Sequence, residues 1–265
     1  MTTTTALHPV QDSMTMLRRR LLHLRRYPSL TIMLVGQPVL FLVLFVYVFG
    51  GTLGNGLGPA AGGRGAYLHF LVPGIIVMAA ASIAMGTAVS VAMDAKGGII
   101  ARFRTMAIAP SSVLTGHVLG ALVQSTLAVG VSVGLATAMG YRTDAGVLDG
   151  LAAAALVGLL ALALTWLTVA FGLAAKSVES ASNAPMILVI LPFIGSGFVP
   201  TDSMPAGLRW FAENQPFTAV IDALRHLLDG HSGGSDLVIA VAWCLGLIAL
   251  GWALAVRAYS TERAT

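Results

Sequence analysis

Long apolar runs, separated by short polar or basic stretches, set the pattern of this chain. Leu30–Gly50 stays apolar for about 20 residues, enough for a helix to cross a hydrocarbon core of ~30 Å. Five further runs predict the same element: roughly His69–Met93, Val113–Met139, Val147–Ala175, Ala181–Val199 and Leu237–Val256. The fifth is the shortest, and Pro192 interrupts it. The expected fold class is an all-α integral membrane protein with six transmembrane helices over residues 29–256.

The stretches between the runs have patterns of their own. Residues 1–13 are polar and read as a disordered tail. Segment 14–28 carries Arg18, Arg19, Arg20, Arg25 and Arg26 among leucines, the composition of a basic helix lying along a membrane surface. The run that follows is too long for a signal peptide and lacks a small-residue cleavage pattern, so it reads as a retained span. In the loop 94–112, Ile99, Ile100, Phe103 and Met106 recur at helical spacing with Arg102 and Arg104 between them. Pro110 ends that pattern, and Ser111 and Ser112 can cap the next helix. Such a loop is either a short amphipathic helix for a soluble partner to push on, or a basic connector resting on anionic lipid.

The connection at 200–235 is the longest. Met204–Glu213 begins with Pro205 and carries Leu208, Trp210 and Phe211. After the break Asn214-Gln215-Pro216, Phe217–Leu228 repeats the amphipathic design, with Asp222, Arg225 and His226 off its apolar side and Gly230 as a stop signal. Two short amphipathic helices joined at a proline read as a re-entrant or interfacial hairpin, with a simple surface cap as the alternative.

Charge then orients the chain. Only 10% of its 265 residues are charged, against roughly 25% in a soluble domain. With the N-terminus inside, the inner segments hold 11 of the 15 Lys and Arg, and the outer ones only Arg64, Arg142, Arg209 and Arg225. That bias predicts both termini, including the tail 257–265, in the cytoplasm. Basic residues sit beside apolar runs rather than among aromatics, so no nucleic-acid partner is expected. The single Cys244 excludes an intrachain disulfide.

No run carries Lys, Arg, Asp or Glu near its middle, which disfavours an ion-coupled transporter. His117 and Gln124, seven apart on one helix face, read as helix–helix hydrogen-bond partners, and Gly116-x-x-x-Gly120 and Gly130-x-x-x-Gly134 as small packing surfaces. Hydrolase and metal motifs are missing, and Ala170–Ser177 lacks both glycines of a phosphate loop. Neither a catalytic, metal nor cofactor-binding residue is expected. The chain reads as a pathway whose energy comes from a separate subunit.

The loop Ala101–Ser112 (ARFRTMAIAPSS) and the segment 197–230, with Gly197, Pro200, Gln215, Pro216, Arg225 and Gly230, resemble the permease subunit of type-2 ABC exporters. The resemblance covers nearly the whole chain and is nearest to bacterial drug-resistance permeases of the daunorubicin-resistance type. Gln215 stands where many members have asparagine. The resemblance implies a homodimer, or a pair with a paralogous permease, in the bacterial cytoplasmic membrane and bound to two copies of an ABC ATPase. That partner would carry ATP and Mg. Ile99, Ile100, Arg102, Phe103, Arg104 and Met106 would form its coupling helix, and the basic N-terminal helix would lie on inner-leaflet lipid beside it. The pathway would form where spans one, two and five meet at the dimer interface. Met78, Ser82 and Met85 on span two, and Met186, Phe193 and Phe198 on span five, are the candidate lining, since methionines adapt to irregular apolar cargo. The expected cargo is an amphipathic drug, lipid or secondary metabolite moving outward. Export of a polysaccharide or glycolipid, and a scaffold that recruits a cytosolic protein without transport, are the other readings.

Overall fold

The structure is a computed structural model that describes residues 9–26, 28–56, 62–98, 110–231 and 233–261. Among the described residues, five helices are long and apolar enough to cross a membrane. These are α2 (Pro28–Gly56), α3 (Arg64–Lys96), α4 (Pro110–Ala138), α5 (Val147–Ala174) and α10 (Gly234–Thr261). The basic segment forms α1 (Pro9–Arg26), which starts at a proline, the residue best suited to a first helical turn. The fifth apolar run is not one helix. It forms α6 (Val178–Asn183), opened by a Ser177–Ser180 capping box, and α7 (Met186–Ile194). Ala184 and Pro185 both keep helical backbone angles, but Pro185 brings no N–H to the ladder, and the two pieces part there. Two short helices follow, α8 (Ala206–Glu213) and α9 (Pro216–Leu228). Residues 1–8 and 262–265 of the expected tails, and 99–109 of the loop 94–112, lie outside the described residues.

Helix α3 is the axis of the bundle. Every residue from Leu71 to Ala84 is buried, as expected of a helix that is apolar all round. Helices α2, α4 and α5 pack directly on it, α10 lies along α5, and α9 closes one end. Backbones approach closely where glycine allows it. A Cβ on Gly172 of α5 would stand 2.6 Å from the Ala88 carbonyl oxygen of α3, and one on Gly251 of α10 would stand 2.6 Å from the Leu167 nitrogen of α5. Gly116 on α4 accommodates Met16 of α1, so this glycine seats the basic helix rather than a neighbouring span. Gly130 and Gly134 on the same helix face open space. His117 and Gln124 reach different neighbours. Nε2 of His117 lies 3.2 Å from Asp94 on α3, and Gln124 donates to Thr31 of α2 at 3.0 Å. The bundle thus has an α1 end and a hairpin end.

Candidate functional site

At the hairpin end, α9 is built to be held from both sides. Pro216 starts it, and Val220, Ile221, Leu224 and Leu227 form a stripe that is buried against the bundle. Gly230 ends it at φ 73, a conformation that a side chain would strain. The loop between α4 and α5 then grips the end of α9, since the Thr143 hydroxyl and the Asp144 N–H both donate to the Leu228 carbonyl, at 2.6 and 3.1 Å. In the same loop Tyr141 is buried 4.9 Å from the His69 ring, and burial, reinforced by Asp229, pushes its phenol up to about 12.

Arg225 is the hub of this end. Its guanidinium donates to Asp222 at 2.6 Å, to the Ser196 carbonyl at 2.8 Å and to the Phe70 carbonyl at 3.4 Å. It also lies 4.4 Å over the Phe70 ring. The Ser196 hydroxyl donates to the same Asp222 carboxylate at 2.7 Å, closing the network. Burial pulls the Arg225 guanidinium below its ordinary range, and Asp222 opposes that shift. One arginine therefore ties α9 to α3 and to the turn after α7. Gln215 adds a second tie, donating to the Leu191 carbonyl of α7 at 3.2 Å, and Pro216 follows it. Helix α8 is held less firmly. Arg209 pairs with Asp202 at 2.6 Å and Glu213 at 2.7 Å, both near water, while Leu208, Trp210 and Phe211 stay exposed.

An aromatic ladder connects α2 to the region beneath the hairpin. Phe41, Phe45 and Phe49 follow one another at four-residue spacing around the π-helical turn Phe45–Phe49 of α2. Phe193 meets Phe41 at 5.2 Å and Phe45 at 6.2 Å, and stacks on Phe198 at 4.1 Å. The candidate pathway residues divide accordingly. Phe193 is half-buried in the ladder, Phe198 is buried at its inner edge, and Met186 is exposed on α7. Met78 and Ser82 are fully buried within α3, and Met85 is half-buried beside them. The structure thus does not bring all six to one surface. Phe41, Phe45 and Phe49 are added to this face, although their spacing was readable in the sequence.

At the α1 end, Arg18, Arg19 and Arg26 are exposed, and Arg19 pairs with Asp94 at 3.6 Å. The side chains of Arg20 and Arg25, and the loop residues Ile99, Ile100, Arg102, Phe103, Arg104 and Met106, lie outside the described residues. Among the described residues no cluster of His, Cys, Asp and Glu could hold a metal ion.

Residues 11–228 match the family model described as ABC-2 type transporter. The chain belongs to that family. The matched part of this ABC-2 protein takes in α1 from residue 11 and the helices from α2 through α9, and α10 follows it. It is 28% identical over 256 residues to the daunorubicin resistance ABC transporter permease protein DrrB1 of Streptomyces coeruleorubidus, covering 96% of this chain and 88% of that one. It is also 24% identical over 205 residues to a Mycobacterium tuberculosis protein named probable doxorubicin resistance ABC transporter permease protein DrrC, covering 77% and 74%. These relatives are permease subunits, and the long apolar helices of this ABC-2 protein agree with a membrane location.

Proposed function

We propose that this chain is the permease subunit of an ATP-driven exporter that moves an amphipathic, largely hydrophobic compound outward. A separate ABC ATPase binds ATP and Mg and supplies the energy. The observation that carries the reading is the exposed aromatic and aliphatic face that α2 and α7 share. Ile32, Met33, Leu40, Tyr47 and Val48 on α2, with Met186, Ile187 and Ile190 on α7, are all exposed beside the phenylalanine ladder. That face is apolar enough for a second permease copy to dock on and for a hydrophobic compound to pass along. The match to drug-resistance permeases supports both the cargo class and the ATPase.

In this reading Val178–Ile194 makes a sixth, broken crossing, with both termini cytoplasmic and α8–α9 a shallow hairpin on the outer side. The loop around Phe103 couples to the ATPase, and α1 lies on the inner leaflet beside it. The test is ATP-dependent uptake of a fluorescent amphipathic dye into inside-out vesicles holding this chain and its ATPase. Uptake that requires hydrolysable ATP supports the reading. Vesicles that accumulate no amphiphile, although the two subunits form a complex, would overturn it.

A further inference from the structure

The α2–α7 face is not the bundle's only opening. A groove of about 390 Å³ runs between α4 and α5, within the size range of small-molecule sites. No residue of α2 or α7 lines it. Its floor is Ile76 of α3, Ala153 and Ala161 of α5, and Leu224 of α9, all buried. Its rim, including Thr126, Gly130, Ala154 and Gly158, is exposed on the flank of two long apolar helices. Access is therefore sideways, from hydrocarbon.

Two observations argue against a simple packing defect. A Cβ built on Gly130, Gly150 or Gly158 would meet no atom within 4 Å, so these glycines are not points of close helix contact and leave the groove open along its rim. Ser125 supplies the second observation. It lines the groove near the midpoint of α4, is only 3% exposed, and its hydroxyl has no hydrogen-bond partner. Its neighbour Thr126 is satisfied, donating to the Leu122 carbonyl at 2.9 Å. A buried hydroxyl left unpaired is costly and calls for an explanation, and of the unpaired serines Ser82, Ser125 and Ser132 it is Ser125 that faces this groove. Water is a poor candidate because it requires two to four polar partners, and Ser125 and Thr126 contribute the groove's only polar side chains.

We infer that the α4–α5 groove binds a neutral lipid dissolved in the bilayer, whose apolar chain lies over the glycines while a hydroxyl or ester oxygen meets Ser125 Oγ. Neutrality follows from the lining, which has no charged side chain to offset an ionised group at that depth. The inference is independent of the export reading, since it requires neither the ATPase nor transport.

The test uses the full chain in phosphatidylethanolamine–phosphatidylglycerol vesicles and a long-chain fatty alcohol bearing a mid-chain diazirine. Cross-linked peptides are mapped by mass spectrometry. Labelling is expected to concentrate on residues 122–133 and 150–161 above the lipid-facing part of α10, and excess diacylglycerol should compete it away. Ser125→Ala should lower the labelling roughly fivefold, the loss of one neutral hydrogen bond. Gly158→Leu should abolish it by filling the empty space, with Gly130→Leu as the replacement should that variant fail to fold. Equal labelling by a matched alkyl diazirine without the hydroxyl, or labelling indifferent to these variants, would show annular lipid only and overturn the inference.

Discussion

Arg225 and Ser196 stand 29 residues apart in the chain and meet at 2.8 Å, guanidinium to backbone carbonyl. Through that contact, and through Phe70 on α3, the last helix of the hairpin is fixed to the centre of the bundle. A movement of α3 or of the turn after α7 must therefore be felt at the hairpin.

Arg225→Ala leaves Asp222 without its cation, a loss of about 2–3 kcal/mol for charged hydrogen bonds. The apparent melting temperature of the purified chain should fall by several degrees, and transport should fall with it. Arg225→Lys should recover less than half of either, because an ammonium cannot fork to a carboxylate and two carbonyls while lying flat on Phe70. An alanine variant that melts like the wild type would contradict this role.

The α3–α5 crossing predicts a contrast between two glycines. Gly172→Ala forces a methyl toward the Ala88 carbonyl and Val91, at a cost of about 1–3 kcal/mol. Gly134→Ala points into open space and should be neutral, or stabilise the helix by up to about 1 kcal/mol. Thermal unfolding of the two variants side by side checks the difference.

At the α1 end, Asp94 lies between Arg19 and His117, at 3.6 and 3.2 Å. Asp94→Asn should loosen the basic helix from α3 and α4. Limited trypsin digestion should then cut sooner within residues 18–26, with cleavage elsewhere unchanged.

Orientation is checked by cysteine labelling. The native Cys244 is fully buried, so background reaction is low, whereas Trp210 is 69% exposed. Trp210→Cys should react with a membrane-impermeant maleimide on intact cells, and Arg18→Cys only after the cells are opened. The reverse pattern would invert the topology.

The apolar runs of α2, α3, α4, α5 and α10 were legible in the sequence because each is long and carries its charges only near its ends. Pro192 marked the weak run, but the helix parts at Pro185, a few residues earlier. Both hairpin helices and their break at Gln215-Pro216 could also be read, from amphipathic spacing and proline. Arg225 could be singled out, yet not its partners, since Phe70 lies 155 residues away and nothing local points to it. In the same way, Gly116 could be seen as a close-packing surface, but only the fold shows that Met16 of α1 fills it. Met78 and Ser82 have the helical spacing of a lined face, and they are buried because α3 is surrounded on every side. The groove at Ser125 had no sequence signal beyond scattered glycines, since an unpaired hydroxyl is a property of its neighbours.

Whether this chain works with an ATPase is decided by co-purification followed by ATP hydrolysis. The chain is expressed with its candidate ATPase, solubilised and washed, and hydrolysis is measured for wild type and Phe103→Ala. Stoichiometric retention of the ATPase, hydrolysis that follows the complex, and weakened retention in the variant are the expected results for a permease coupled through this loop. A wild-type chain that retains no ATPase would contradict that coupling.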